Sequence, residues 1–183
     1  MHVKDDHWLS RVRQLRSANC NRREPGQGVE LVVIHSISLP PGRFGGDDVA
    51  RLFQNRLDCN SHPSYRSLRG VRVSAHLLID RRGRITQFVP FDRCAWHAGV
   101  SSWRGRPGCN DYSIGIELEG VDTRPYTQAQ YRKLERVLAA LLRRYRRLSP
   151  DAIVGHQEIA PGRKTDPGPA FDWGRILSTV AGG

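Results

Sequence analysis

One histidine, one lysine and one aspartate stand close together near the C-terminus, in the segment GHQEIAPGRKTDPGPAFDW at residues 155–173. Its prolines and glycines disfavour a regular helix, so we expect an ordered loop. Loops that hold such side chains together are typical of functional sites. His156 and Asp166 offer a nitrogen and an oxygen ligand to a metal, and Lys164 could stabilise negative charge on a tetrahedral intermediate.

A third candidate ligand is His35, at the end of the apolar β-branched run ELVVIHS. An imidazole on a buried strand needs a partner, which is either a structural hydrogen bond or a ligand. Zinc accepts His nitrogen and Asp oxygen, and a catalytic zinc site keeps three protein ligands. His35, His156 and Asp166 could supply them, but spacing alone leaves this open: no motif joins the two histidines, and Asp166 could equally belong to a simple turn before Pro167.

A carboxylate suited to acid–base chemistry is Glu117, in the alternating segment SIGIELE at residues 113–119. Alternation places Gly115, Glu117 and Glu119 on the face opposite the apolar side chains. The structural alternative for Glu117 is a solvated strand carboxylate, which we expect Glu119 to be. The corresponding alternative for Lys164 is an ordinary surface lysine.

The elements that must position these residues are strands mixed with helices. Apolar or alternating runs predict strands at residues 30–36, 73–80, 85–89, 113–119 and 152–154. Capping residues predict helices from Asp47 to about Asp58, after the Thr127–Gln130 capping box, and after Asp172. Residues 95–109 are expected to form an ordered loop. The pattern predicts a single α/β domain over residues 1–183, with a mixed central β-sheet and a core at about 28–180.

Composition excludes some classes of protein. The chain has 183 residues, of which 38% are hydrophobic and 26% charged, as is typical of a soluble globular domain. Four cysteines without a CxxC pair are expected to be free thiols, or two disulfides if the protein is exported. The N-terminus lacks the apolar stretch of a secretory signal, so we expect a cytoplasmic protein.

The formal charge of +11 has two explanations. It is either only a basic surface, or it indicates an anionic partner, which would be nucleic acid or a substrate with several carboxylates. No nucleic-acid-binding motif accompanies the arginines. No apolar run approaches the roughly 20 residues that a membrane helix requires. We therefore expect no nucleic acid and no membrane among the partners.

Four long segments, in order, closely resemble AmpD-type 1,6-anhydro-N-acetylmuramyl-L-alanine amidases, and the resemblance runs from about Trp8 to Trp173. They are VVIHSISLPPGRFGG, VSAHLLIDRRGRITQFVPFDRCAWHAGVS, CNDYSIGIELEG and GHQEIAPGRKTDPGPAFDW. These enzymes belong to a group of zinc amidases that includes phage T7-type lysozyme amidases and the peptidoglycan recognition proteins. The resemblance implies a mixed sheet flanked by helices, with one Zn²⁺ in a groove at the sheet's edge.

The resemblance also implies residue roles and a reaction. The metal ligands fall on His35, His156 and Asp166, the catalytic acidic residue on Glu117, and the charge-stabilising lysine on Lys164. The implied reaction is hydrolysis of the amide between the lactyl group of anhydro-N-acetylmuramic acid and L-alanine, in peptidoglycan recycling, with an influence on β-lactamase induction.

Substrate contacts are implied less specifically. His76 and the Trp96–His97 pair match segments that line the groove, although core packing and support of the site's ligands from behind are the structural alternative. The implied substrate is an anhydromuramyl peptide with several carboxylates, which Arg72 and Arg106 could bind. The simplest oligomeric state is a monomer. The alternatives are an exported amidase acting on intact peptidoglycan, a non-catalytic peptidoglycan-binding module, and a basic nucleic-acid-binding protein.

Overall fold

A six-stranded sheet forms the centre of the computed structural model, which describes residues 1–181. The strands in the described residues are β1 (Arg13–Gln14), β2 (Cys20–Arg22), β3 (Leu31–Ile37), β4 (Leu77–Ile79), β5 (Ile85–Gln87), β6 (Arg93–Ala95), β7 (Ser102–Trp103), β8 (Arg106–Pro107), β9 (Ser113–Glu119) and β10 (Ile153–Gly155). The α-helices in the same residues are α1 (Asp48–Phe53), α2 (Gln128–Arg144), α3 (His156–Ile159) and α4 (Trp173–Ala181). Short 3₁₀ helices lie at Pro63–Leu68, Cys109–Asp111 and Pro150–Ala152.

The central sheet is mixed, in the order β1-β5-β4-β9-β3-β10. β3 runs parallel to β9 and β10, and β4 runs parallel to β9. β4 and β5 form the predicted antiparallel hairpin, whose turn places Gly83 at a positive φ of 76°. The predicted α/β class with a mixed, helix-flanked sheet is therefore confirmed. Two small antiparallel pairs, β2-β6 and β7-β8, lie outside this sheet.

Strands β3 and β9 form the middle of the core. Ile34 and Ile116 are fully buried, and every residue of β9 is buried, on both faces. The expectation that Glu119 is solvated is therefore wrong. Its carboxylate is 8% exposed and accepts hydrogen bonds from the backbone N–H groups of Gly45 and Arg81, so it holds two loops against the sheet.

Glu119→Gln should lower the free energy of unfolding by about 2 kcal/mol, because an amide replaces a carboxylate that accepts two backbone hydrogen bonds. Urea denaturation measures this loss. Amidase turnover below the unfolding transition should stay within about threefold of the parent, as expected for a structural carboxylate. An unchanged urea midpoint would contradict this role for Glu119.

The long helix begins as predicted. At its N-terminus the Thr127 hydroxyl accepts from the Gln130 backbone N–H at 3.1 Å, and the Gln130 side chain accepts from the Thr127 N–H at 3.0 Å. Its apolar stripe is buried over Leu134, Val137, Leu138 and Leu141. The final helix packs against it, and the Asp172 carboxylate accepts from the Arg175 N–H, as expected of a capping residue.

Other elements differ from the predictions. α1 ends at Phe53 rather than near Asp58, because Asn55 takes a left-handed φ of 58° that stops the helix. The predicted loop at 95–109 contains the β7-β8 pair, and the 155–173 loop begins with the single turn α3. Val3 and Leu9 are also buried, so residues before the predicted core at 28 contribute to it.

All four cysteines are free thiols. Within residues 1–181, no helix combines the length and the apolar character needed to cross a bilayer.

Candidate metal centre and active site

The parallel register brings the candidate residues together at one edge of the sheet. His35 on β3 pairs with Glu117 on β9, so the two side chains lie on the same face of neighbouring strands. β10 is parallel to β3 on its other side, with Gly155 opposite Ile34. The next residue, His156, therefore lies beside His35.

Three donor atoms meet at this edge. His35 Nδ1 lies 3.0 Å from His156 Nδ1, and Asp166 Oδ2 lies 3.3 Å from the former and 3.1 Å from the latter. Both histidines are almost completely buried, whereas Asp166 is partly exposed. The structure thus brings together the three residues that the sequence proposed as metal ligands.

The spacing of these donors fits a zinc ion. Two ligands at about 2.0–2.1 Å from a tetrahedral metal lie about 3.3 Å apart, close to the separations found here. Two imidazoles and one carboxylate are also the donor types that zinc accepts. Among the described residues, this is the one group of histidine, cysteine or acidic side chains identified as able to hold a metal.

The remaining ring nitrogens of both histidines are engaged on the side away from the cluster. His156 Nε2 lies 3.2 Å from the Ala98 carbonyl oxygen, and His35 Nε2 lies 2.8 Å from His97 Nδ1. A neutral imidazole carries one proton, so a proton held at Nε2 leaves the Nδ1 lone pair free. Both Nδ1 lone pairs then face the point where the three donors converge.

Burial shifts the pKa values of the cluster. Desolvation lowers the pKa of His35 to about 4, although its hydrogen bond with Asp166 opposes the shift. Burial acts to raise the pKa of Asp166, but hydrogen bonds with His156 and His35 outweigh it and lower that pKa. At neutral pH, Asp166 is therefore an anion and His35 a neutral imidazole, the protonation states that bind a metal.

Glu117 is a buried carboxylate beside the cluster. It is 8% exposed, and its Oε2 makes no hydrogen bond to the described part of the chain. Burial, and next the negative charge of Asp166, raise the pKa of Glu117 well above its usual value, while the charge of Lys164 opposes this. An unsatisfied buried carboxylate with a raised pKa is typical of a group that exchanges protons.

Lys164 is exposed, and its backbone N–H donates to the Ala160 carbonyl. Its positive charge acts to lower the pKa values of both Glu117 and His35. Its part in the reaction stays a prediction.

His76 does not line a groove. It is fully buried; its Nδ1 accepts from the Gly115 N–H at 3.0 Å and its Nε2 lies 2.9 Å from the Arg93 carbonyl oxygen. Both ring nitrogens are used to join backbone segments, which corrects the prediction that His76 lines the substrate groove.

The structure places the other three predicted substrate residues as follows. The Trp96 indole N–H donates to the Asn21 side chain at 2.8 Å. The Arg106 guanidinium pairs with Glu30 at 2.7 Å and stacks on an aromatic ring. Arg72 is exposed at the rim of a surface groove. Their contacts with a substrate stay predictions.

The burial of His76 has a measurable pH dependence. Desolvation lowers its pKa to about 3, so between that pH and its unfolded value near 6.5 the unfolded chain binds a proton that the folded chain does not. Stability therefore rises with pH over this window. Between pH 5 and 6.5, we expect His76 to contribute about 2 kcal/mol of this dependence, measured by urea unfolding of metal-free protein. His76→Gln should lose this part of the pH dependence of the unfolding free energy. An equal pH dependence in the parent and the variant would contradict the prediction.

Sequence reasoning missed the contacts that support the metal ligands. Trp96 and His97 of the segment AWHAG were assigned to the groove, with a supporting role as the alternative, but not to particular contacts; His97 and the Ala98 carbonyl are the groups that touch His35 and His156. The Asn110 side chain holds this segment by accepting from the backbone N–H groups of both His97 and Ala98. The signal in the sequence was a histidine, His97, followed by a glycine-containing turn. The spacing of residues does not show which groups this histidine contacts.

The N-acetylmuramoyl-L-alanine amidase family model matches residues 25–169, most of the chain and all of the cluster. The chain belongs to this family. The chain is also 51% identical to the 1,6-anhydro-N-acetylmuramyl-L-alanine amidase AmpD of Citrobacter freundii, over 96% of this chain and 94% of that protein. The resemblance read from the four sequence segments is therefore confirmed.

Solved structures of amidases share the fold. A crystal structure of a selenomethionine derivative of AmpD superposes with a TM-score of 0.93 at 51% identity, covering 96% of this chain and 98% of the other. AmpDh3 of Pseudomonas aeruginosa, solved in complex with an anhydromuramic pentapeptide, gives a TM-score of 0.63 at 28% identity, covering 90% and 66%. The amidase fold thus covers nearly the whole chain.

Proposed function

We propose that this chain is a zinc-dependent amidase that cleaves the bond between the lactyl group of 1,6-anhydro-N-acetylmuramic acid and L-alanine, in peptidoglycan recycling. The observation that carries the proposal is the meeting of three donor atoms within 3.3 Å of one another, next to a buried, unpaired carboxylate. One zinc ion is held by His35, His156 and Asp166, and Glu117 accepts and donates the proton.

Zinc, when bound in such a site, lowers the pKa of water to about 7 and polarises a carbonyl group. Glu117 accepts the proton of the attacking water and later returns it to the leaving amine of L-alanine. Its burial suits both steps, because a raised pKa brings the carboxyl group nearer to neutral pH, where it can accept and give a proton.

Lys164 contributes positive charge at the same edge. Its ammonium influences the pKa of Glu117 across the site, and it can face the oxygen on which negative charge develops as the amide carbonyl becomes tetrahedral. An exposed lysine fits this role, because the substrate covers it on binding and removes the screening water.

The substrate class is supported by the relatives. The curated protein that is 51% identical is a 1,6-anhydro-N-acetylmuramyl-L-alanine amidase, and two more distant neighbours were solved with anhydromuramyl peptides. The net charge of +11 suits a ligand with several carboxylates. Location in the cytoplasm, a monomeric state and an influence on β-lactamase induction stay predictions.

The substrate proposal is tested by offering zinc-loaded protein equal molar amounts of anhydromuramyl-tripeptide and of muramyl peptides in intact sacculi. Mass spectrometry measures the released stem peptide. We expect cleavage of the soluble anhydro compound at least about 100-fold faster than release from sacculi. Faster release from sacculi would point instead to an amidase of intact peptidoglycan. Binding of either substrate without cleavage would indicate a peptidoglycan-binding module.

A further inference from the structure

A second layer of contacts lies behind one of the candidate zinc ligands. His35 Nε2 is 2.8 Å from His97 Nδ1, and His97 Nε2 is 3.0 Å from the Ser113 hydroxyl oxygen. The His35 and His97 rings meet edge to face, with centroids 4.9 Å apart and an angle of 81° between their planes. His97 is not one of the three converging donors.

The proton positions in this chain of contacts follow from one requirement. If His35 offers the Nδ1 lone pair to a metal, its proton is on Nε2, and this N–H donates to His97 Nδ1. His97 is then protonated at Nε2 and donates to Ser113 Oγ. The His35 N–H thus fixes the tautomer of His97, and the fully buried hydroxyl of Ser113 on β9, which can donate or accept, accepts the last proton.

The backbone around His97 holds its ring in this position. The Asn110 side chain accepts from the His97 N–H at 3.0 Å. Beneath the ring, β9 has a glycine: a Cβ atom on Gly115 would lie 2.4 Å from His97 Cγ, closer than atoms can approach. Gly115 has no positive φ, so close packing against His97, rather than backbone conformation, requires glycine here.

We propose that His97 is a positioning residue for the metal site, which presents Nδ1 as the acceptor that fixes the tautomer and orientation of His35. This rests on the proposed zinc-dependent function. Ser113 and Gly115 support the role, the first by accepting the His97 Nε2 proton and the second by leaving room for its ring. Removal of a residue that hydrogen-bonds to a metal ligand in this way typically weakens metal binding by about 10–100-fold.

Two amide variants separate this role from packing. In His97→Asn, the side-chain oxygen occupies the same place along the side chain as Nδ1 and can accept from His35. In His97→Gln, the amide lies one methylene further out and leaves no acceptor at that place. We expect zinc affinity within about threefold of the parent for the asparagine variant, and at least about tenfold weaker for the glutamine variant.

Zinc affinity is measured at pH 7.5 by competition with a coloured chelator of known affinity, on protein whose folding is checked by circular dichroism. Gly115→Ala provides an independent route, because it displaces the His97 ring without changing its chemistry, and it should also weaken zinc binding at least about tenfold. Val137→Ala is the control for lost stability: it removes fully buried methyl groups on α2 and should leave zinc affinity unchanged.

The outcomes are distinct. Weak zinc binding by His97→Gln and Gly115→Ala, with near-parental binding by His97→Asn, supports the positioning role. Equal affinities in the parent and in both amide variants overturn it, and leave the zinc amidase proposal intact. If one amide variant does not fold, the comparison of Gly115→Ala with Val137→Ala decides the question in the same way. A parent chain that binds no zinc refutes the proposed function itself.

Discussion

Glu117→Gln is expected to bind zinc with the same stoichiometry as the parent, one equivalent in the proposed site, and to lose about 10²–10⁴-fold in kcat for anhydromuramyl-tripeptide. The amide keeps the size of the side chain in its buried position but cannot accept a proton from water. Glu117 is not one of the three converging donors, which belong to His35, His156 and Asp166. Zinc affinity should therefore stay at the parental value although turnover is lost. Steady-state kinetics and metal analysis on the same preparation measure both quantities.

The matched control is Glu119→Gln, two residues along the same strand. It makes the same chemical change in an equally buried carboxylate, but this one accepts backbone hydrogen bonds from Gly45 and Arg81. We expect Glu119→Gln to be less stable but active, and Glu117→Gln to be folded but inactive. Near-parental kcat in Glu117→Gln would show that another group transfers the proton.

His156→Ala is expected to reduce bound zinc from one equivalent to below about 0.1 and to abolish amide hydrolysis. In the proposed site three protein ligands hold the ion, and loss of one would leave a pair of donors too weak to retain it. The same change should remove the stabilisation by zinc. At a zinc concentration of about 1,000 times the dissociation constant, that stabilisation is about 4 kcal/mol in the parent.

Thermal unfolding with and without zinc measures this difference, and His2→Ala is the control. His2 is an exposed histidine outside the cluster, so its variant should keep the zinc-dependent shift in Tm. A full zinc-dependent shift in His156→Ala would exclude His156 as a ligand.

The longest elements could be predicted because each has a strong local pattern. β3 begins with an apolar run rich in β-branched residues, and α2 has a complete capping box and an apolar stripe. β1, β7 and β8 contain two residues each, too few to show a period, and their pairing depends on distant partners. The burial of Glu119 was missed for the same reason, since Gly45 and Arg81 come from other segments.

The candidate site could be predicted in part. The three donors were identified by residue type and by resemblance, and the parallel register of β3, β9 and β10 explains why they meet. His76 was assigned to the groove because its segment resembles a groove-lining one, whereas its ring lies in the core. His97 was assigned with Trp96 to the groove or to a supporting role, but its contact with His35 could not be predicted, because a contact between two imidazoles 62 residues apart leaves no trace in spacing.

The most direct test of a zinc amidase is hydrolysis of anhydromuramyl-tripeptide by purified protein before chelation, after chelation, and after zinc is added back. Mass spectrometry identifies the products. We expect free tripeptide and anhydro-N-acetylmuramic acid, their loss on chelation, and their return with one equivalent of zinc. Undiminished hydrolysis by the chelated, metal-free protein would contradict the account, as would a protein that binds no zinc.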